Sequence, residues 1–221
     1  MPIKIITTED GSHSLFDENL NETYHSTRGA KGESLHVFVK EGLEHWVTKN
    51  AAKEAIKILE VGLGTGLNAF LTAQFATAKK KKIHFTSLEP FPIAREIYQH
   101  LNFYQSEEEK DLLMKIHASD WEEVIHLSQD FSLYKTQSTL EKYESDELFD
   151  IIYFDAFAPS KQPEVWSLDN LKRCHDLLEK GGVLTTYCAQ GQFKRNLTEV
   201  GFDVETLQGA MGKKEMVRGV K

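Results

Sequence analysis

The chain has 221 residues, 40% of them hydrophobic, a formal net charge of −8 and two cysteines. A chain of this length forms a large α/β domain that needs no disulfide bonds, and two isolated cysteines do not make a structural zinc site. The acidic charge argues against a non-specific nucleic-acid-binding protein, which is usually basic. Because no apolar run reaches the ~20 residues of a membrane helix and the N-terminus lacks a signal-peptide pattern, we expect a soluble, cytoplasmic protein that needs neither membrane nor metal.

Residues 1–50 are predicted to form an N-terminal extension of loop, strand and helix, packed on a core domain at 51–221. Polar and apolar residues alternate at 34–40 (SLHVFVK), which predicts a half-buried strand. The segment before it is rich in turn-forming residues and predicts a loop. The segment from 41 to 55 has an apolar face at helical spacing and predicts a helix.

From Ile56 onwards, predicted strands alternate with predicted helices. The strands are expected at 56–62, 82–89, 113–120, 149–157 and 181–189, and the helices between several of them at 67–80, 91–104 and 165–182. Such alternation predicts a mostly parallel sheet covered on both faces. A helix running into a strand at 191–207 and a last strand at 215–220 predict an antiparallel hairpin at the sheet edge.

The stretch ILEVGLGTGLN lies between a predicted strand and a predicted helix. It holds three glycines at alternate positions, Gly62, Gly64 and Gly66, and ends at Asn68. Such a turn lets a ligand approach the backbone beside the positive end of the helix dipole. The spacing departs from the dinucleotide fingerprint G-x-G-x-x-G, and no Lys-Ser or Lys-Thr pair follows, as a phosphate-binding loop requires. Glu60 would repel a pyrophosphate and attract an amino group, so the stretch favours S-adenosylmethionine as the cofactor.

Further acidic residues follow the next predicted strands. Glu89 ends the second strand, where a carboxylate binds both ribose hydroxyls of a nucleoside. Asp120 ends the predicted third strand and is expected to accept a proton from the adenine amino group, with Trp121 beside the ring. Asp155 ends the fourth strand, and ligands of open α/β sheets bind in the crevice at these strand ends. We therefore expect Asp155 to face both the cofactor and the substrate.

These residues resemble the class I S-adenosylmethionine-dependent methyltransferases. The stretch DIIYFDAFAPSKQPEVWS (150–167) resembles the methyltransferase domain of the bifunctional tRNA 5-methylaminomethyl-2-thiouridine biosynthesis proteins, the MnmC family. That family has a strand ending in Asp-Gly-Phe-Ala-Pro, followed by Lys-x-Pro-x-x-Trp, and Ala156 stands here in the place of the glycine. The C-terminal GFDVETLQGAMGKKEMVRG is similar to the family's ending, with Lys214 in the place of an arginine. The segment ETYHSTRGAKGESLHVFV is similar to its Tyr-x-Ser loop.

The resemblance implies a class I, Rossmann-like fold and a stand-alone methyltransferase, because the chain ends at Lys221 without the FAD-dependent oxidase domain. The implied reaction converts 5-aminomethyl-(2-thio)uridine at the tRNA wobble position to its N-methylated form. The implied partners are the anticodon stem-loop of tRNA and separate enzymes that make the aminomethyl precursor.

The chemistry of methyl transfer to an amine of tRNA suggests roles for individual residues. Asp155 would orient the amine and take its proton. Phe157 would stack on a flipped uracil, since enzymes that act on bases take them out of the stack, and Tyr24 would reach the site from the N-terminal loop. Pro159 belongs to the same substrate loop as Phe157. Cationic residues of the tail and of neighbouring segments would bind tRNA phosphates, namely Lys213, Lys214, Arg218, Lys221, Lys194, Arg195, Arg28 and Lys31. Lys161 would pair with a phosphate or face water.

Three alternatives remain open at this point. A methyltransferase or an aminopropyltransferase that acts on a small amine would share the fold and the strand-end aspartate. An NAD-dependent dehydrogenase is disfavoured by the glycine spacing. A non-catalytic RNA-binding domain is disfavoured by the intact set of carboxylates. The histidines form no metal-site spacing, and His25 in the N-terminal loop is the one of interest.

Overall fold

A mixed eight-stranded sheet and a separate three-stranded sheet organise residues 3–221, the part of the chain that the computed structural model describes. The strands are β1 (Ile3–Thr7), β2 (His13–Asp17), β3 (Glu22–Thr23), β4 (Ala55–Val61), β5 (Lys82–Leu88), β6 (Val124–His126), β7 (Phe131–Thr136), β8 (Phe149–Phe154), β9 (Leu178–Thr186), β10 (Asp203–Gln208) and β11 (Glu215–Val220). The α-helices are α1 (Ala30–Ser34), α2 (His45–Lys49), α3 (Leu67–Lys79), α4 (Arg95–Tyr98), α5 (Glu107–Ala118), α6 (Leu168–Leu177) and α7 (Gly191–Glu199), and a π-helix (Leu35–Glu44) joins α1 to α2.

The eight-stranded sheet has the order β10-β11-β9-β8-β4-β5-β7-β6. Strands β9, β8, β4, β5 and β7 pair in parallel, whereas β6 and β11 pair antiparallel with their neighbours. The expected mostly parallel sheet is therefore confirmed, and so is the antiparallel hairpin β10–β11 at its edge. All six residues of central strand β8 are buried, as expected for a strand covered on both faces.

Helices cover both faces of this sheet. One apolar cluster packs the π-helix, α3 and α5 against the sheet, with Phe38, Phe70 and Ile116 among its buried members. The other cluster packs α6 and α7 against the opposite face, with Leu171 and Phe193 buried. The carboxyl ends of β4, β5 and β8 remain free of helices and form one edge at which ligands of such sheets bind.

The strand predicted at 34–40 is wrong, because this segment lies in the helical run formed by α1, the π-helix and α2. A strand would place Leu35 and Val37 on the same face, but Leu35 is 41% exposed while Val37 and Phe38 are both buried. Short apolar runs do not distinguish helix from strand by their pattern alone. The helix predicted from residue 41 onwards is confirmed as far as Lys49.

The strand predicted at 113–120 is also wrong, because residues 113–118 form the last part of helix α5 and residues 119–120 directly follow it. The third parallel strand of the sheet is β7 instead. Ser106 caps α5 by accepting a hydrogen bond from the backbone N–H of Glu109 at 3.2 Å. The sequence Ser-Glu-Glu-Glu at 106–109 matches a capping box, and this signal could have identified the helix.

Two predicted helices are shorter than expected. Only α4 is helical within 91–104 before α5 begins, because Pro90 and Pro92 restrict the backbone ahead of it. Helix α6 ends at Leu177 rather than at the glycines, which lie inside strand β9. Neither difference moves a predicted site residue.

The three-stranded sheet β1–β2–β3 was absent from the sequence predictions. It lies beside the carboxyl edge of the main sheet, where the ammonium group of Lys161 donates to the carbonyl oxygens of Leu20 at 2.8 Å and Asn21 at 3.3 Å. The predicted division of the chain at residue 50 remains a prediction. Among the helices of residues 3–221, none is long and apolar enough to cross a membrane.

Candidate active site

The glycine turn between β4 and α3 has a backbone that other residues rarely adopt. The φ angles are +95° at Gly62, +50° at Gly64 and +71° at Gly66. A Cβ atom at Gly62 would lie 2.8 Å from the Asp155 carbonyl oxygen, and one at Gly66 would lie 2.9 Å from His117 Nε2. The turn therefore requires glycine both for its backbone angles and for its close neighbours.

A cavity of about 460 Å³ opens at the carboxyl edge of the sheet, between the glycine turn, the ends of β5 and β8, and the N-terminal segment. Its lining residues carry five carboxylates, from Asp17, Glu89, Glu141, Asp155 and Glu164. The lysine in this lining is Lys161, which is already bound to backbone carbonyls. Lys161 is half-buried and partly engaged within the protein, and its pairing with a phosphate or with water remains a prediction.

Asp155 lies at the end of β8, as predicted, and lines this cavity. Its Oδ2 atom accepts a hydrogen bond of 2.7 Å from Asn68 Nδ2. The pKa of Asp155 is raised to about 7, mainly by burial and also by the nearby carboxylate of Glu33. The Asn68 hydrogen bond and the positive charge of Lys213 act in the opposite direction. The carboxyl group is thus balanced between its two protonation states near neutral pH.

Glu60 is fully buried beneath the glycine turn and does not line the cavity. Its Oε2 atom accepts a hydrogen bond of 2.6 Å from the Ser87 hydroxyl, whereas its Oε1 atom has no hydrogen-bond partner. Burial raises the pKa of Glu60 well above its usual value. A buried carboxyl oxygen without a partner is uncommon and leaves an acceptor available below the turn.

Glu89 is held rigidly at the end of β5. Its Oε2 atom accepts the backbone N–H of Gly64 and its Oε1 atom accepts that of Phe91, both at 2.9 Å. Burial raises its pKa. Both carboxylate oxygens are oriented by the backbone at the cavity wall, which is the position expected for binding ribose hydroxyls.

Tyr24 and Phe157 form one wall of the cavity, although the chain separates them by more than a hundred residues. Their rings meet edge to face with centroids 4.8 Å apart. The carbonyl oxygen of Phe157 accepts a hydrogen bond of 2.7 Å from Trp166 Nε1, which holds the loop after β8 in place. Pro159 lies in the same loop but does not line the cavity.

The sequence analysis named His25 without giving it a role and missed the segment 138–141, and both line the cavity. His25 Nε2 lies 2.7 Å from the Thr65 hydroxyl in the glycine turn, and burial lowers its pKa to about 4, so the ring is neutral. The segment 138–141 follows β7, the true third strand, and lines the same cavity as Glu89. Recognition of the α5 capping box would have moved the third strand and identified this segment.

Asp120 and Trp121 line a second cavity of about 330 Å³. This cavity shares Gly64 and Glu89 with the first one, and the stacked rings of Tyr98 and His117 form its far side. The structural basis for assigning Asp120 to the adenine was wrong, because Asp120 follows helix α5 and not a parallel strand. The predicted cofactor residues are thus divided between two adjoining cavities.

The cationic tail differs from the expected tRNA-binding rim. Arg218 is only 4% exposed, and its Nε atom binds Glu205 at 2.6 Å. Lys213 pairs with Glu33, and its ammonium group lies 4.9 Å from the centre of the Tyr187 ring. Lys214 is exposed. The expectation that Arg218 binds phosphate is therefore wrong, because its guanidinium group is buried in the sheet edge.

Two more of these cations are engaged by the protein itself. Lys194 Nζ binds Glu215 at 2.8 Å, and Lys221 Nζ donates to the carbonyl oxygen of Leu178 at 2.8 Å. Arg28 is exposed, as Lys214 is, and its Nη1 atom donates to the carbonyl oxygen of Met211 at 3.3 Å. Within residues 3–221, no cluster of three or more His, Cys, Asp or Glu residues is arranged to hold a metal ion.

The first cavity fits S-adenosylmethionine on its own chemistry. The glycine turn lines the cavity at the start of α3, where the positive end of the helix dipole favours a carboxylate. Glu89 presents a fixed carboxylate for ribose hydroxyls, and the acidic lining suits a cationic sulfonium and amino group. The unpaired Oε1 atom of Glu60 lies below the same turn.

Comparisons with known proteins identify a family that uses this cofactor. Residues 98–221 match the family of S-adenosyl-L-methionine-dependent methyltransferases. The tRNA 5-methylaminomethyl-2-thiouridine biosynthesis bifunctional protein MnmC of Marinomonas sp. (strain MWYL1) is 32% identical over 241 residues, which cover 96% of this chain and 32% of that protein. The MnmC protein of Leptospira interrogans serovar Lai is 31% identical, over 91% of this chain and 33% of that protein. The chain thus spans about a third of the length of these curated relatives.

Two solved structures have a similar fold. The crystal structure of MNMC2 from Aquifex aeolicus has a TM-score of 0.78 and 26% identity, and covers 99% of this chain and 70% of that chain. The spermidine synthase of Thermotoga maritima has a TM-score of 0.57 at 11% identity, and the match covers 99% of this chain and 68% of that chain. At this identity, the similarity is evidence for the fold only. These likenesses confirm the expected class I, Rossmann-like fold.

Proposed function

Since the chain belongs to the S-adenosyl-L-methionine-dependent methyltransferases and is a homologue of the methyltransferase domain of MnmC, we propose that it methylates a specific amine of tRNA. The acceptor is the primary amine of 5-aminomethyl-(2-thio)uridine at the wobble position, and the product is the 5-methylaminomethyl nucleoside. The names of the relatives support this substrate, and the cavity chemistry supports an amine.

The observation that carries the proposal is the acidic cavity lining. An alkylamine resembles lysine, whose pKa is near 10.4, and is cationic in neutral solution. Five carboxylates around one cavity attract such a cation and disfavour a phosphate or carboxylate substrate. An amine acceptor therefore agrees with the electrostatics of the site better than a hydroxyl or carboxyl acceptor does.

Asp155 is the proposed proton acceptor. The bound cofactor supplies an electrophilic methyl group, and the electrons of its carbon–sulfur bond return to sulfur. The ammonium proton moves to Asp155 Oδ, and the freed nitrogen lone pair forms the new N–C bond. With the pKa of Asp155 at about 7, this proton transfer is unfavourable by about 3 units, or about 4 kcal/mol. Proximity and orientation can offset a cost of this size.

The Tyr24–Phe157 wall is the proposed position of the uracil ring. Its two aromatic rings line the same cavity as Asp155, so a base against them would bring its 5-substituent towards the carboxylate. Aromatic stacking on an unstacked base is the usual mode of RNA recognition. The target nucleotide would leave the anticodon loop to reach this position.

The proposed tRNA contacts are few, because most cations near the site are paired. Exposed Lys214 and Arg28 remain candidates for phosphates of the anticodon stem-loop. Binding through two such contacts would weaken with salt by a logarithmic slope of about −2. The aminomethyl precursor would be made by a separate oxidative activity, because the proposed reaction only adds a methyl group.

Methyl transfer from labelled S-adenosylmethionine tests this proposal. One pool of tRNA comes from cells that make the 5-aminomethyl precursor, and the other from cells that cannot. We expect label only in the first pool, with an Asp155→Asn variant at least a hundredfold slower. The matched control is Asp176→Asn, which removes an exposed carboxylate that pairs with Lys172 on α6. Equal labelling of both pools would contradict the proposed acceptor.

A second candidate is transfer to a small amine. The carboxylate-lined cavity would also suit a polyamine, and the fold is shared with an aminopropyltransferase. Label transfer to putrescine or spermidine, with none to tRNA, would favour this candidate. Use of decarboxylated S-adenosylmethionine in place of S-adenosylmethionine would identify aminopropyl transfer.

A further inference from the structure

Lys213 takes part in a cluster that joins three distant segments of the chain. It lies in the loop between β10 and β11, and its ammonium group pairs with the buried carboxylate of Glu33 in α1. The same ammonium group lies over the Tyr187 ring, 4.9 Å from its centre. The second carboxylate oxygen of Glu33 accepts the backbone N–H of Ser26 at 2.9 Å. Both partners of the ion pair are therefore held by further contacts.

The cluster continues to the candidate catalytic residue. The Tyr187 hydroxyl donates a hydrogen bond of 2.8 Å to the carbonyl oxygen of Ala156, the residue directly after Asp155. Lys213 thus contacts the side chain that holds the backbone next to the Asp155 carboxyl group.

The neighbouring Lys214 provides a contrast. Lys214 is exposed, whereas Lys213 is partly buried and engaged on two sides. An ammonium group that already has a buried carboxylate partner gains little from a phosphate, since it would first have to leave that carboxylate unpaired. The two adjacent lysines are therefore expected to differ in function.

We propose that Lys213 is a positioning residue of the active site and not a tRNA contact: paired with Glu33 and packed on Tyr187, it orients the Ala156 backbone and places a positive charge near the Asp155 carboxyl group. This inference rests on the proposed role of Asp155 as the proton acceptor. It changes the function assigned to Lys213 by sequence, from binding the substrate to maintaining the protonation state of the site.

Charge explains the direction of the effect. The titratable and charged groups that surround Asp155 are Glu33 on α1, Glu60 on β4, Tyr187 and Cys188 after β9, Lys213 in the hairpin loop, and the cavity residues Asp17, Glu89, Glu141, Lys161 and Glu164. Most of them are acidic. The positive charge of Lys213 lowers the pKa of Asp155, while Glu33 raises it. Without Lys213, the charge of Glu33 is no longer balanced and Asp155 takes up a proton more readily.

The test is a titration of the Asp155 carboxyl group by ¹³C NMR, with the resonance assigned from an Asp155→Asn variant. The proteins are the wild type, Lys213→Met, Lys213→Arg, Lys214→Met and the double variant Glu33→Gln/Lys213→Met. We expect Lys213→Met to raise the midpoint by about one pH unit, a tenfold change in the protonation constant. Lys213→Arg and Lys214→Met should titrate as the wild type does, and the double variant should return towards it because both charges are gone.

Thermal unfolding checks that each variant folds. If Lys213→Met is unstable, Lys213→Arg and the double variant are the folded proteins to compare with the wild type. A wild-type midpoint in Lys213→Met would overturn the proposal. So would a decrease of about one in the salt slope of tRNA binding on loss of Lys213, since that would identify a phosphate contact. The titration needs no substrate, so a midpoint shift without tRNA methylation would reject the proposed function and leave the Lys213–Asp155 coupling established.

Discussion

Asn68 and Asp155 are joined by a hydrogen bond of 2.7 Å from Nδ2 to Oδ2, which links the first turn of α3 to the end of β8. Asn68 is buried, and its Oδ1 atom has no partner. The amide therefore donates to the candidate proton acceptor from the same turn that is proposed to bind the cofactor. The start of α3 would therefore both bind the cofactor and orient the carboxyl group of Asp155.

The first prediction concerns this hydrogen bond. Because it favours the charged form of Asp155, the Asn68→Ala variant should raise the pKa of Asp155 above its value of about 7. The rising limb of the kcat–pH profile should move to higher pH, and kcat at pH 7 should fall about tenfold, or about 1.4 kcal/mol in activation free energy. The control is Gln74→Ala, which removes an amide–carboxylate hydrogen bond of the same length from α3 to Glu109 on α5. A kcat–pH profile shifted equally in both variants would contradict the conclusion that the Asn68 hydrogen bond sets the pKa of Asp155.

The second prediction separates backbone strain from loss of the binding site. Gly64→Ala places a methyl group 3.1 Å from the Tyr24 ring at φ +50°. Gly181→Ala has a similar positive φ of +78° with nothing within 4 Å of the new Cβ atom. Each variant should lose about 1–2 kcal/mol of unfolding free energy. Only Gly64→Ala should weaken S-adenosylmethionine binding, by at least tenfold in a calorimetric titration, and equal losses of affinity would argue against the turn as the binding site.

The third prediction distinguishes the two adjoining cavities. We expect the adenosine of the cofactor in the first cavity, so Ser138→Phe should fill it and raise the Kd for S-adenosylmethionine at least tenfold. Asp120→Ala removes a carboxylate from the second cavity and should change the Kd by less than twofold. A large increase in Kd for Asp120→Ala, with little change for Ser138→Phe, would instead indicate that the adenine binds beside Asp120 and Trp121.

The fourth prediction concerns acid stability. Burial lowers the pKa of His117 to about 4, so this ring stays neutral in the folded chain while it is protonated below about pH 6.5 in the unfolded chain. Unfolding then takes up a proton, and the unfolding free energy contributed by His117 is lost as the pH falls from about 6.5 towards 4.

His117→Gln keeps a donor for the Thr65 carbonyl oxygen, which lies 2.9 Å from Nε2, but it does not titrate. Denaturant unfolding at pH 7 and pH 5 should therefore show a smaller loss in the variant, by about 2 kcal/mol. The raised pKa values of Glu60, Glu89 and Asp155 act in the opposite direction but are common to both proteins. Equal losses in the two proteins would indicate that His117 is protonated in the folded state.

Local patterns predicted much of the site. Gly62 and Asp155 were assigned to strand ends, and the structure brings their backbones together at the carboxyl edge of the sheet. Both signals come from short stretches in which an apolar run is followed by a turn residue. The third strand was misplaced because the apolar residues at 113–116 belong to helix α5, whose capping signal at Ser106 lies upstream of them.

The functions of the charged residues were not predictable in the same way. Lys213 and Arg218 are cations in one short basic segment, yet the fold buries the guanidinium group of Arg218 and pairs Lys213 with Glu33. The partner of Lys213 lies 180 residues away in the chain. Sequence shows how many charges a segment carries, but pairing depends on which segments are adjacent in space.

The sequence by itself determined the glycine turn, the strand-end carboxylates Glu89 and Asp155, the mostly parallel sheet and the family resemblance. All of these depend on residues a few positions apart, since backbone angles and strand periodicity are local properties. Only the tertiary structure decided that the segment 138–141 lines the cavity, that Asp120 lies in a different one, and that Lys213 is paired within the protein. These outcomes depend on burial and on contacts between distant segments, and such contacts exist only after the N-terminal segment and the C-terminal hairpin have packed on the sheet.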